Sequence, residues 1–556
     1  MRAKIEAPER DDGSAGLFSG EPHSCFAFMM RRVFVRISEK HRYRWNVCDA
    51  LQLNLNSLYW SVKRGTVTCR HWRQPDNRQM PMTLPLYQTI ADRLSLLIEG
   101  GTFPPGSRLP SVRKVSREQR VSVTTVLEAY GRLLDRGLIE SRARSGYFVS
   151  PPRIIPGQLP RPVTGSSRPV AVQCSAIFKA VMDAVADPKV VPFGAAVPGD
   201  ELLPSGRLTS ITNAVVRRHG AAAFRYTMAP GRRELRMAIS RRMLSAGVDA
   251  APESIITTQG ATESMALALR ATTTPGDLVA VEAPTFFGIL QLIKELELKV
   301  VEIPMFASSG MDLDRLEDLA AKHPLKACIV QPSYQNPLGS CMSPDAKRRL
   351  VDLAEAHDFV LIEDDLYGEL GHGGPRPLAL AHYDRDGRVI HCGSVSKSIA
   401  PGLRVGWVIP GEQIERICEL KRVLYPANPT VSELVVAEFL DAGGYERHLQ
   451  RCRTHYAERC STIREAILKA FPDGTKVNCP QGGFVLWIEM AEDFDSEKFA
   501  VEAFAKGISL IPGSLFSPTC KLKNCLRLSC GHEFDARAIK AIKQLGRIAS
   551  KQIIAE

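Results

Sequence analysis

Six prolines, Pro151, Pro152, Pro156, Pro160, Pro162 and Pro169, interleaved with Gly165, Ser166 and Ser167, limit how this chain folds more than any other feature. Proline fixes φ and lacks a backbone donor, so such a run builds neither a helix interior nor a central strand. A semi-extended, solvated linker is expected over residues 151–174. A chain of 556 residues exceeds what one hydrophobic core organises,. The linker therefore separates a small unit at 83–150 from a large one at 175–556, with an extension, 1–82, ahead of both.

Charge is unevenly divided between these parts. Residues 1–82 hold 14 Lys and Arg against 8 Asp and Glu, and residues 83–153 hold 11 against 6, so only +1 of the net +12 falls beyond residue 153. A concentrated surplus suits a polyanionic partner, although a merely solvated basic face explains charge alone equally well. No apolar run approaches the roughly eighteen residues of a membrane span, and Cys25–Met30 is too short for an export signal. The 14 cysteines show no paired spacing. Cys520, Cys525 and Cys530 fit no zinc pattern, so reduced thiols, no metal and a cytoplasmic location are expected. Residues 1–82 scatter Trp45, Trp60 and Trp72 among arginines without a sustained period and receive no fold. Met80 and Met82 stand just before the first patterned helix; one reading starts the native chain there, which mass spectrometry of the endogenous N-terminus would decide.

From Leu84 to about Gly101, the residues Leu86, Ile90, Leu94, Leu97 and Ile98 share one helical face,. Pro110 then stops one element and Ser111 caps the next helix; after a turn near Gln119 to Val121, Ser122 caps a third running to about Arg136. In that third helix Val126, Tyr130, Leu133 and Leu134 form the buried stripe, and Val123, Thr124 and Thr125 lie at its exposed start, where a recognition helix meets base edges. Leu138–Glu140 and Tyr147–Val149 read as two short strands around Arg142, Arg144 and Gly146. The pattern resembles the winged helix-turn-helix of the GntR family over 84–150. That resemblance implies that Arg113, Thr124, Thr125, Arg144 and Gly146 contact double-stranded promoter DNA, with Arg108 on a phosphate. Val123 stands where many relatives carry arginine, so one base contact is absent or replaced by apolar contact with a thymine methyl.

Beyond the linker, strand-like runs at Ser254–Thr258, Leu278–Glu282, Ala327–Gln331 and Phe359–Glu363 alternate with helical segments, the pattern of an α/β domain with a mainly parallel sheet,. Spread along it are parts suited to holding a phosphorylated pyridine aldehyde. Lys397 offers an amine to condense with the aldehyde, and Ser394, Ser396 and Arg404 can hold phosphate. Asp364 can keep the ring nitrogen protonated, while Tyr367 and Asn336 hydrogen-bond the phenolic oxygen and lower the pKa of the nitrogen linking lysine to cofactor. Phe286 can stack on the ring, and the amides of Ala261 and Thr262 cradle phosphate at a helix N-terminus.

In this order the parts resemble the fold-type I aminotransferases, over residues about 190 to 540. The resemblance implies pyridoxal 5'-phosphate as cofactor and a large α/β transferase fold beside the small winged-helix domain. It also implies a homodimer in which Tyr226 reaches the phosphate of the neighbouring subunit, and an α-carboxylate clamp at Arg527. Ala283 replaces a residue that is more often polar in relatives. A GntR-type module ahead of such a domain resembles the MocR family of bacterial regulators. The expected function is a cofactor-dependent transcription regulator answering to a small amine or amino acid, with no membrane partner. An active amino-acid aminotransferase carrying an accessory DNA-binding module stays open beside it, with Lys397, Asp364 and Arg527 as its catalytic set.

Overall fold

The structure is a computed structural model that describes residues 58–63, 66–71, 86–99, 103, 107–119, 121–135, 138–142, 146–149, 159–163, 165, 168–173, 177–187, 189–441 and 444–554. It comprises two compact units, Met1–Arg153 and Ile154–Glu556. In the first, strands β1 (Leu58–Lys63) and β2 (Thr66–His71) pair antiparallel with Val62 opposite Val67. This hairpin falls in the extension to which the sequence assigns no element, because the alternation in β2 is carried by Val67 and Cys69 alone.

Helices α1 (Leu86–Glu99), α2 (Val112–Gln119) and α3 (Val123–Asp135) enclose Ile90, Ala91, Leu94, Val115, Val126, Ala129, Tyr130 and Leu133. Both later helices begin where a serine side chain accepts from a first-turn amide. Ser111 Oγ takes Lys114 N–H at 3.3 Å, and Ser122 Oγ takes Thr125 N–H at 3.0 Å,. The Tyr130 hydroxyl donates to Pro110 O at 2.7 Å, tying α3 to the segment before α2. Leu86, expected on the buried face, is 64% exposed, because the apolar stripe of α1 starts one turn later at Ile90. Strands β3 (Ile139–Arg142) and β4 (Gly146–Val149) form the wing, and Arg108 extends it by bridging to Phe148.

The second unit is built on a sheet of β5 (Val170–Ala171), β6 (Ile256–Thr258), β7 (Leu278–Ala283), β8 (Lys299–Phe306), β9 (Gly310–Met311), β10 (Leu325–Val330), β11 (Val360–Asp364), β12 (Val389–Ser394) and β13 (Gly406–Ile409). Across it the order is β9-β8-β7-β10-β11-β12-β13-β6, with β5 also on β8. β8, β7, β10, β11 and β12 are mutually parallel, whereas β13 opposes both its neighbours. Every residue of β7 is buried. Such two-sided burial explains why these strands read as continuous apolar runs, since helices cover both faces.

The distal half of the proline-rich segment departs from the expected solvated linker. Val170 and Ala171 pair with Val300 and Lys299, Val172 is buried, and Gln173 N–H donates to Pro518 O at 2.8 Å. Arg161 N–H also donates to Glu489 at 2.6 Å. Prolines tolerate edge positions, so Pro162 and Pro169 flank these contacts without breaking them.

Toward the C-terminus, β14 (Lys476–Val477), β15 (Val485–Glu489), β16 (Ile511–Pro512) and β17 (Cys525–Ser529) make an antiparallel sheet in the order β14-β15-β17-β16. Helices Tyr445–Ala470 and Ala536–Ile554 share its core, in which Leu449, Ile463, Leu486, Leu528 and Leu545 are buried. Among the described residues no helix is long and apolar enough to cross a membrane.

Candidate functional sites

Because the parallel strands run one way, their carboxyl ends open on one edge of the large sheet, where ligands of such folds collect. The loop after β6 places Gly260 at φ 107°, a conformation open to glycine, and α4 (Ala261–Thr272) starts there without a side-chain cap,. The first-turn amides of Ala261 and Thr262 are thus available to an anion. Arg404, ahead of the opposed strand β13, arrives at the same edge and donates to Gln259 O at 2.5 Å. A Cβ on Gly260 would stand 3.1 Å from its guanidinium. β7 leads to Phe286, half-buried against Phe287 with ring centroids 4.6 Å apart. β10 leads to the buried Asn336; β11 ends on Asp364, with Tyr367 just beyond; β12 ends on Ser394, with Lys397 just beyond.

Asp364 Oδ1 accepts from Leu366 N–H and Oδ2 from Gln331 Nε2, both at 3.1 Å. Burial, aided by the charge of Asp365, overcomes the backbone bond and pushes this carboxyl up to about 7,. The half-buried Lys397 donates from Nζ to Ala196 O at 2.5 Å. Its amine is lowered to about 8, first by desolvation and then by the charges of Arg527 and Arg404, against the pull of Asp364. Arg527, on β17, is 1% exposed and lies 5.9 Å from the Phe516 ring. Burial brings it down to about 10, still protonated at neutral pH. Burial likewise raises the Tyr367 phenol well above its ordinary range.

Asn336 Oδ1, the Tyr367 hydroxyl, and Nε and Nη1 of Arg527 are buried without a hydrogen-bond partner among the described residues. Buried polar groups are nearly always paired, so such a set implies a polar ligand. A pyridine bearing a phenolic oxygen and a phosphate, together with a carboxylate for Arg527, supplies complementary groups; pyridoxal phosphate fits. Ser394 and Ser396 are bonded first to each other and to the backbone. Their oxygens are 2.9 Å apart, and Ser394 also donates to Val405 O at 2.9 Å. Tyr226 is not packed among these residues; it is 88% exposed.

On the winged helix, Arg113 and Thr124 are exposed, while Thr125 is half-buried with its hydroxyl 2.8 Å from Ser122 Oγ. The structure joins Arg108 to Gly146: a Cβ on Gly146, at φ 105°, would meet the Arg108 guanidinium at 3.4 Å. Arg144 lies outside the described residues.

Glu282, Gln331 and Gln335, which surround Asp364 and Asn336 through hydrogen bonds, escape a reading by sequence. No motif marks them; a Gln or Glu acquires meaning here only when three loops converge.

The fold and the edge constellation define an aminotransferase-like domain, and the three-helix unit with its wing defines a DNA-binding module. Residues 189–542 match the family of aminotransferases of class I and II, and residues 86–149 match the gntR family of bacterial regulatory proteins. The chain belongs to the MocR-type regulators, in which these two domains follow one another. It is 37% identical to the uncharacterized HTH-type transcriptional regulator YjiR of Escherichia coli over 83% of this chain and 98% of that protein. It is also 30% identical to aromatic-amino-acid aminotransferase 1 of Thermococcus litoralis, over 66% of this chain and 89% of that one. Among solved structures, the multiple substrate aminotransferase of Thermococcus profundus superposes with a TM-score of 0.64 at 26% identity, covering 69% of this chain and 97% of that one. The aminotransferase class I and II family is pyridoxal-phosphate dependent.

Proposed function

We propose that this chain is a cytoplasmic, homodimeric transcription regulator that binds promoter DNA through residues 86–149 and carries pyridoxal phosphate on Lys397, whose encounter with a small amine or amino acid changes DNA affinity. The observation that carries this reading is the set of buried, unpartnered atoms of Asn336, Tyr367 and Arg527. The cofactor supplies an electrophilic aldehyde and an electron-accepting ring. Asp364 holds the proton on the ring nitrogen, and a cation facing it favours its carboxylate form despite burial. Asn336 and Tyr367 hold the phenolic oxygen, Phe286 covers a ring face, and the amides of Ala261 and Thr262 with Arg404, Ser394 and Ser396 hold phosphate. Arg527 receives an effector's α-carboxylate in a two-pronged contact. On DNA, Arg113, Thr124, Thr125, Arg144 and the Gly146 tip meet the grooves, and Arg108 meets the backbone.

An effector acts only if it binds two states unequally, and each tenfold change in DNA affinity requires about 1.4 kcal/mol of such discrimination. The Lys397→Ala protein is expected to lose the visible absorbance of the lysine-bound cofactor and to bind promoter DNA with an affinity indifferent to added amino acids. Retention of that absorbance, or an unaltered effector response, would count against the reading. The likeness to a named aminotransferase, with Lys397, Asp364 and Arg527 all present, favours a second reading as an active aminotransferase. Rapid transamination by a protein that shows no salt-dependent DNA shift would put that one first.

A further inference from the structure

We propose that Gln331 is a positioning residue that holds Asp364 and Asn336 in one fixed relation, so that the ring nitrogen and the phenolic oxygen of the cofactor meet their partners together; this rests on the cofactor reading above. Gln331 follows β10 and is 5% exposed. Its side-chain oxygen accepts from Asn336 N–H at 2.5 Å and its Nε2 donates to Asp364 Oδ2 at 3.1 Å. The orientation of that amide is not free. A backbone N–H only donates, so the oxygen must face Asn336, and the nitrogen is thereby aimed at the carboxylate.

Gln331 is in turn anchored from β7. Its own N–H donates to Glu282 Oε1 at 3.1 Å, and Gln335 Nε2 donates to Glu282 Oε2 at 3.0 Å and to Pro284 O at 2.8 Å. The loops carrying Phe286, Asn336 and Asp364 are therefore in register through one chain of hydrogen bonds centred on residues 282, 331 and 335. Glu282 is itself pushed up to about 8 by burial, with Asp364 adding to the effect. The groups whose charge acts on Asp364 are Asp365, Lys397 and His391, and Glu282 stands behind it. Gln331 adds a neutral donor where another acid would compete for the same proton.

The test uses the full-length protein with pyridoxal phosphate, comparing wild type, Gln331→Met and Gln331→Glu. Methionine keeps the length but leaves Asn336 N–H and Asp364 Oδ2 unpaired. Glutamate keeps size and the acceptor for Asn336 but replaces the neutral amide donor with an acid that competes with Asp364 for its proton, and serves as the deciding variant should the methionine protein fail to fold. Cofactor dissociation constants are expected to rise about tenfold or more. The midpoint pH of the visible band should move up by about one unit, because both ring partners depress the pKa of the linking nitrogen. A purely structural role would lower the melting temperature and leave that midpoint alone. Variants with wild-type affinity and midpoint overturn this assignment alone. A wild-type protein that takes up no cofactor overturns it together with the reading beneath it.

Discussion

An exposed lysine stays protonated to about pH 10.4 and is then a poor nucleophile. At position 397 the fold lowers that limit to about 8, and the largest charge opposing protonation is Arg527. A nearby cation disfavours the ammonium form, so removing it must raise the midpoint. Borohydride trapping of Lys397 after brief exposure to pyridoxal phosphate is thus expected to rise with pH through a midpoint near 8 in wild type, and through a higher one in Arg527→Gln. An unmoved midpoint would show that Arg527 lies outside the field felt by the amine. At this scale the legible residues were those whose chemistry is unusual for their context: Lys397 after a serine-rich strand end, Asp364 closing an apolar strand, and Asn336 ahead of a proline. Gln331 was not legible, since an amide becomes a positioning group only through partners that arrive from other strands. Nor did the Ser394–Ser396 bond show in the sequence, where both hydroxyls read as free for phosphate.

Among elements, α3 most clearly joins local sequence to function. Its first turn is held by Ser122, whose Oγ takes the Thr125 amide at 3.0 Å and lies 2.8 Å from the Thr125 hydroxyl. Those contacts set the residues expected to read bases. Ser122→Ala is expected to weaken the start of the helix by about 1 kcal/mol. That corresponds to roughly fivefold faster amide exchange near the start of α3, measured by mass spectrometry on the full chain. Exchange unchanged there would mean that packing of Val126 and Tyr130 alone holds the N-terminal turn. Periodicity marks the buried stripe of this helix, whereas the strands Leu278–Ala283 and Val360–Asp364 are marked by near-continuous apolar runs, because both their faces are buried,. Periodicity failed for Val170–Ala171, where two residues are too few to show a period and the flanking prolines point to a linker. It also misplaced Leu86, which fits the stripe by spacing yet precedes the turn where packing begins.

At the scale of the molecule, a twofold partner is a proposal, and the surface around Tyr226 is what supports it. Phe224, Tyr226, Met228 and Val423 are 71%, 88%, 51% and 81% exposed, and the Thr227–Met228 strand pairs with Ala427–Asn428. Single exposed apolar residues are ordinary, but Phe224, Tyr226 and Met228 exposed within five consecutive residues are the kind of cluster a twofold contact would cover,. If Tyr226 of the partner subunit completes the phosphate site, Lys397 and Tyr226 of one chain serve different sites. Mixing Lys397→Ala with Tyr226→Phe protein then has a defined consequence. Each mixed dimer holds one site with both lesions and one with neither, so random exchange gives native affinity to about a quarter of all sites. Neither parent alone has any such site. Titrating the mixture with limiting pyridoxal phosphate should therefore reveal a high-affinity class by its visible absorbance, growing as subunits exchange. Should no such class emerge from a preparation shown by sedimentation to contain mixed dimers, Tyr226 acts within its own chain or not at all.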